Sequence, residues 1–208
     1  MARYALAAAS AVVSATLVVG VAGCGAFSRE PTQAPASVAA SPSPSSTMFD
    51  NDPTRFGPDV VRYAAEAAID PQLLMAILYN ESYKPHDPEF QRSWLKLNPG
   101  ASLGIANMHE AAFDDTKRGR FEDRDWLELP DDPKLAIRAA AWYLHDLAAR
   151  LPATWAAPYT KDELLALGYN AGPSSMLEFA DGAQPGPVAQ AYLDKLHDNW
   201  ANAAAAVK

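Results

Sequence analysis

From Gly57 onward, apolar residues recur every three or four positions, and no segment alternates convincingly with period two. The pattern predicts helices over residues 58–69, 71–82, 133–150, 161–170 and 187–207, with a further helical stretch near 102–116. Several starts carry a mechanism. Asp70-Pro71 and Asp132-Pro133 each place a capping acceptor ahead of a proline at the first helical position. Thr160-Lys161-Asp162-Glu163 reads as a capping box. The expectation is a mostly α domain over residues 57–208, with long loops at 84–101 and 117–130.

Ahead of that domain the pattern changes twice. Residues 1–23 hold one charge, Arg3, followed by an uninterrupted apolar run rich in Ala and Val, as in an export signal. The run ends in Val21-Ala22-Gly23-Cys24, which resembles the lipobox of bacterial lipoproteins. Cys24 is the single Cys of the chain and therefore cannot staple the fold. The resemblance implies a lipid on Cys24, anchoring an extracytoplasmic protein to the membrane rather than threading it through. Residues 24–56, with the run PTQAPASVAASPSPSSTMF, have too few large apolar side chains to build a core and read as a disordered tether. Such a tether reaches roughly 30 Å as a coil and toward roughly 100 Å if stiffened by its prolines.

The 208-residue chain carries 17 Lys and Arg against 25 Asp and Glu. Removing residues 1–23 takes away Arg3 alone and leaves a net charge of about −9, which argues against nucleic acid or an anionic membrane face as partner. The four His residues are scattered, and His109-Glu110-Ala111-Ala112-Phe113 lacks the second His that a zinc helix needs. No metal or cofactor is expected. Asp114-Asp115-Thr116-Lys117-Arg118 is most simply a solvated helix end.

One carboxylate stands out. At 100° per residue, Glu81 falls inside the apolar arc of Leu74, Ile77 and Leu78, in the last turn of its helix. Burial and the unpaired carbonyls of a helix C-terminus both disfavour a negative charge there, which suits a general acid. The commoner fate of such a residue is to fray into solvent or to pair with an Arg.

Four segments shift that balance: Ala65 to Leu74 followed by Asn80-Glu81-Ser82; Ser102-Leu103-Gly104-Ile105-Ala106-Asn107-Met108; Asp132-Pro133 through Ala139-Ala140-Ala141-Trp142-Tyr143-Leu144; and Gly168-Tyr169-Asn170-Ala171-Gly172-Pro173. In this order, over about 120 residues, they resemble the motifs of the lytic transglycosylases, with their goose-lysozyme-like fold. The resemblance implies cleavage of peptidoglycan glycan strands between N-acetylmuramic acid and N-acetylglucosamine, with Glu81 as acid and then base. It implies Ser82 as a hydrogen-bonding neighbour, and Asn107, Tyr169, Asn170 and Tyr192 along the substrate groove. Tyr169 reads also as a core aromatic, and Asn170 as a helix cap ahead of Gly172. The family usually has Gln where Asn107 stands, so a hydrogen bond to an N-acetyl group is expected to be lost or relayed by water. The interval from Glu81 to Gly104 is long, with Trp94, Lys96 and Asn98 in an insertion that can reshape the groove. The alternatives are a hydrolytic muramidase and a glycan-binding lipoprotein without turnover. No second carboxylate is obvious beside Glu81, so the expected products are 1,6-anhydromuramoyl ends.

Overall fold

A computed structural model describes residues 52–208; the expected export signal, Cys24 and the expected tether up to residue 51 lie outside the described residues. Among the described residues eight α-helices follow one another: α1 Gly57–Ala67, α2 Pro71–Glu81, α3 Pro88–Leu97, α4 Glu110–Lys117, α5 Pro133–Arg150, α6 Lys161–Ala171, α7 Pro173–Ala180 and α8 Pro187–Ala206. Pro53–Phe56, within the stretch expected to be tether, forms a 3₁₀ turn capped by Asp52, whose side chain accepts from the Thr54 N–H. The described residues contain no β-strand, only an isolated antiparallel bridge between Leu103 and Met108. No helix among them is long and apolar enough to cross a membrane.

The caps form as their chemistry requires. Asp70 accepts from the Gln72 N–H at 2.7 Å and Asp132 from the Leu135 N–H at 2.9 Å. Thr160 and Glu163 close both halves of a capping box. Helix α6 stops where Gly172 turns to φ 87°, and Pro173 then opens α7, a helix the periodicity does not predict.

Two expectations need correction. The span 84–101 is not a loop, because Asp87-Pro88 is a third cap-and-proline start: Asp87 accepts from the Phe90 N–H at 2.6 Å and α3 runs ten residues. The stretch 102–116 is helical only from Glu110; ahead of it the chain folds back on itself at the Leu103–Met108 bridge. The second expected loop, 117–130, holds one short 3₁₀ turn at Trp126–Glu128.

Helix α2 is the centre of the domain. Leu73, Leu74, Met75, Ala76, Ile77 and Leu78 are all buried, with α1 on one side and α8 along much of its length. It is thus apolar nearly all round rather than striped, as a helix enclosed by others must be. Around it α1 packs on α5, and α6 on α5, α7 and α8. A residue at the end of α2 therefore meets protein on most sides, and that residue is Glu81.

Candidate functional site

Glu81 is 7 % exposed, the only acidic residue among the described residues buried to this degree. Its Oε1 accepts from the Tyr192 hydroxyl at 2.9 Å and its Oε2 from Asn107 Nδ2 at 2.9 Å. Burial raises its pKa above the ordinary carboxylate range; the hydrogen bonds from Asn107 and Tyr192, then the charges of Lys84 and Lys195, oppose the shift without cancelling it. The proton that such a carboxyl holds has free lone pairs to occupy, since each oxygen uses only one of its two.

Tyr192 is delivered by α8. Its backbone carbonyl accepts from Asn80 Nδ2 at 3.0 Å, and Asn80 Oδ1 in turn accepts from Asn199 Nδ2 at 2.9 Å. This amide chain ties α8 to the last turn of α2, fixing the hydroxyl against Glu81. Burial first, and then the negative charge of Glu81, pushes the Tyr192 pKa well upward, so the phenol stays neutral and able to donate.

Asn107 is delivered by the turn between Leu103 and Met108. Gly104, at φ 73°, and Asn107, at φ 45°, both lie in the left-handed region, which Gly accepts freely and Asn better than most other residues. Three side chains hold this turn. Gln91 Oε1 accepts from the Gly104 N–H at 2.7 Å, the Tyr169 hydroxyl donates to the Ala106 carbonyl at 2.7 Å, and Trp126 Nε1 donates to the Met108 carbonyl at 2.8 Å. Both amide protons of Asn107 go to Glu81, one to the carboxylate and one to the main-chain oxygen at 2.9 Å. The shorter side chain at this position thus acts directly on Glu81.

The remaining residues singled out in the sequence are dispersed. Ser82 caps α2, and its hydroxyl donates to the Tyr79 carbonyl at 2.7 Å. Tyr169 packs edge-on against Tyr143, with ring centroids 5.5 Å apart, and spends its hydroxyl on the turn. Asn170 is exposed and lines a separate groove with Ala171, Pro187 and Val188. Val188 and Tyr192 stand one turn apart on α8, so that groove and the Glu81 carboxyl are reached from the same helix.

Beside Asn107 opens a cavity of about 380 Å³, walled by Lys84, Pro85, Phe90, Gln91, Trp94 and Ala101, with Ser102 and His109 completing it. Lys84 Nζ donates to the Ser102 hydroxyl at 3.0 Å. Among the described residues no group of three His, Cys, Asp or Glu side chains converges as a metal site.

A family model described as the transglycosylase SLT domain matches residues 60–184. The chain belongs to this family. A search among curated proteins returns no match. Membership makes this a lysozyme-like helical domain of transglycosylase type, concerned with peptidoglycan in the extracytoplasmic space. The matched span of the SLT domain contains Glu81, Ser82, Asn107, Tyr169 and Asn170 but ends before Tyr192, which α8 brings in from beyond it.

Lys84, Lys195, Asn80 and Gln91 were not legible as site residues. Lys195 and Asn80 act through tertiary contacts that leave no local pattern. For Gln91 a signal existed, since recognising Asp87-Pro88 as a helix start would have set it one turn into α3.

Proposed function

We propose that this SLT domain cleaves the bond between N-acetylmuramic acid and N-acetylglucosamine by transglycosylation, with Glu81 as acid and then base. The observation that carries the reading is a buried carboxyl held by two fixed donors, its pKa raised by burial, with no second carboxylate hydrogen-bonded to it among the described residues. Five acidic residues of the neighbouring caps and loops are placed otherwise. Asp87 and Asp132 cap helices, Asp114 pairs with Lys117 at 2.9 Å, and Asp131 pairs with Arg92. Glu89 sits exposed in the first turn of α3.

In this mechanism Glu81 gives its proton to the glycosidic oxygen as the bond to the anomeric carbon breaks. The substrate's own 2-acetamido oxygen meets the positive charge that develops there. Glu81, now anionic and steadied by Tyr192 and Asn107, takes the proton of the muramoyl 6-hydroxyl as that oxygen bonds to the anomeric carbon. No water is consumed. The hydroxyl competes with bulk water because it is tethered to the reacting ring, and well-oriented intramolecular groups reach effective molarities of roughly 10⁵ M or more. Asn107, with both amide protons spent on Glu81, keeps Oδ1 as the atom it can offer to a substrate N–H.

Digestion of defined peptidoglycan followed by mass spectrometry is expected to yield 1,6-anhydromuramoyl ends, lighter by one water than hydrolytic products. Reducing ends only, carrying ¹⁸O from labelled water, would make the enzyme a hydrolase with a second carboxylate still to be found.

We further propose that the domain is held at the membrane by a lipid on Cys24, on the strength of Val21-Ala22-Gly23-Cys24 and the absence of any other Cys. Mass spectrometry of the native N-terminus should find Cys24 lipidated, and Cys24→Ala should release the protein from the membrane fraction. An unmodified Cys24 within a longer mature chain would end this reading.

A further inference from the structure

The end of α2 and helix α8 meet at Glu81, and each also brings a lysine to the rim of the site. Tyr83 stands two residues past Glu81 and is 63 % exposed. Lys84 Nζ lies 5.3 Å and Lys195 Nζ 4.9 Å from the centre of its ring, so one aromatic side chain gathers both ammoniums. Lys195 follows Tyr192 by about one turn of α8, which makes it a surface neighbour of the residue whose hydroxyl meets Glu81. The Ser102 hydroxyl accepts from Lys84 Nζ at 3.0 Å and steadies that side chain on the wall of the cavity that Asn107 also lines. Both charges reach Glu81, since each opposes the rise in its pKa.

Gathering two cations on one ring has a cost, because like charges repel. Carboxylates to offset it are plentiful in a chain with 25 Asp and Glu against 17 Lys and Arg, and Lys117, Arg120, Arg124 and Arg138 all have one. Lys195 is exposed, yet among the described residues it forms no ion pair. In the proposed mechanism Glu81 is neutral when substrate arrives, so it does not supply the missing anion either.

We propose that Tyr83, Lys84 and Lys195 form a carboxylate-reading site at the rim, which selects strands by the charge on the lactyl arm of N-acetylmuramic acid. That arm ends in its own carboxylate or continues, through an amide, into a peptide stem that bears carboxylates. Amidation of the stem removes the charge and leaves its size and shape nearly unchanged. A sugar ring by itself offers these lysines no ionic partner. The proposal rests on the groove at Glu81 being a glycan groove, but its test does not require turnover.

The probes are soluble strands of equal length: one with stems whose carboxylates are free, one with the same stems fully amidated, and one with the stems removed to bare the lactyl carboxylate. Calorimetric titration into the Glu81→Gln protein is expected to place the tighter of the two charged strands about tenfold above the amidated one. Exposed ion pairs are weak singly, so Lys84→Gln and Lys195→Gln should each remove about threefold of that preference, and the double variant nearly all of it. Tyr83→Ala should also weaken the preference, whereas Tyr83→Phe, which keeps the ring, should preserve it. Raising the salt concentration should lower it, because charges at an exposed rim are screened. Whichever charged strand loses more in the double variant identifies the source of the carboxylate.

Affinity for both charged strands no better than for the amidated one would overturn the proposal. So would an equal loss on all three strands when the lysines are replaced, which would mean that they hold the shape of the rim rather than read charge. A lysine-dependent preference in a protein that never cleaves peptidoglycan would instead refute the catalytic reading and leave the carboxylate site standing.

Discussion

Replacing Glu81 by Gln is expected to lower turnover of peptidoglycan by roughly 10²-fold or more, the usual scale for losing a general acid–base group. The fold should tolerate the change, for a reason visible in the hydrogen bonds. Asn107 Nδ2 can only donate, so the new amide must turn its oxygen toward Asn107. Its NH₂ then faces Tyr192, whose hydroxyl can accept as well as donate. Circular dichroism should therefore match the parent, and the failure should lie in kcat.

The same substitution changes the pH dependence of stability in a defined direction. Burial raises the folded-state pKa of Glu81 above its unfolded value, so the native state holds this proton more tightly. Its contribution is fully present below the unfolded pKa of about 4.5 and is lost as pH rises through the raised folded value. His86 acts oppositely. Burial, its largest cause, lowers its pKa from 6.5 to about 4, so its contribution is present above 6.5 and fades as pH falls toward 4. Since His86 is common to both proteins, the difference in Tm between parent and Glu81→Gln isolates Glu81. That difference should move in favour of Gln as pH rises from 4.5. A flat difference, or a variant that keeps most of its turnover, would show that Glu81 is not the acid.

The position of Glu81 was legible because α2 carries a capping signal at Asp70-Pro71 and a dense apolar run, both local properties of the chain. What enclosed it was not. A wheel drawn for α2 alone gives an apolar arc, yet the helix is buried nearly all round because α8, more than a hundred residues later, lies along it. Tyr192 reaches Oε1 across 111 residues, and only the resemblance to a family helix pointed to it. The turn at 103–108 misled the periodicity for a different reason. Its apolar residues are spaced like those of a helix, but they are fixed by Gln91, Tyr169 and Trp126, each bonded to a separate backbone group of the turn. The α3 helix was hidden by nothing physical, since its start repeats the Asp-Pro signal used elsewhere.

That turn is also a place where a single added methyl group should do damage, by strain and crowding together. A Cβ at Gly104 would stand 2.9 Å from Leu129 Cβ, 3.0 Å from the Leu129 carbonyl oxygen and 3.1 Å from Ala136 Cβ, at a φ of 73°. None of these neighbours is the free end of a flexible side chain, and Leu129 and Ala136 are fully buried, so relief requires backbone movement. Crowding of this kind costs roughly 1–3 kcal/mol, and forcing an L side chain into the left-handed region adds about 1–2 kcal/mol. For a domain of this size the two together correspond to a Tm lower by roughly 5–15 °C. Gly119 supplies the control: its φ is 71°, but nothing lies within 4 Å of an added Cβ. Gly119→Ala should therefore show the backbone cost alone, and Gly104→Ala the backbone and crowding costs together. The Gly104 variant should also lose activity beyond its loss of stability, because moving the turn draws Asn107 away from both the carboxylate and the carbonyl of Glu81. Equal melting temperatures for the two alanine variants would mean that the turn yields easily and that Asn107 is not held in place by it.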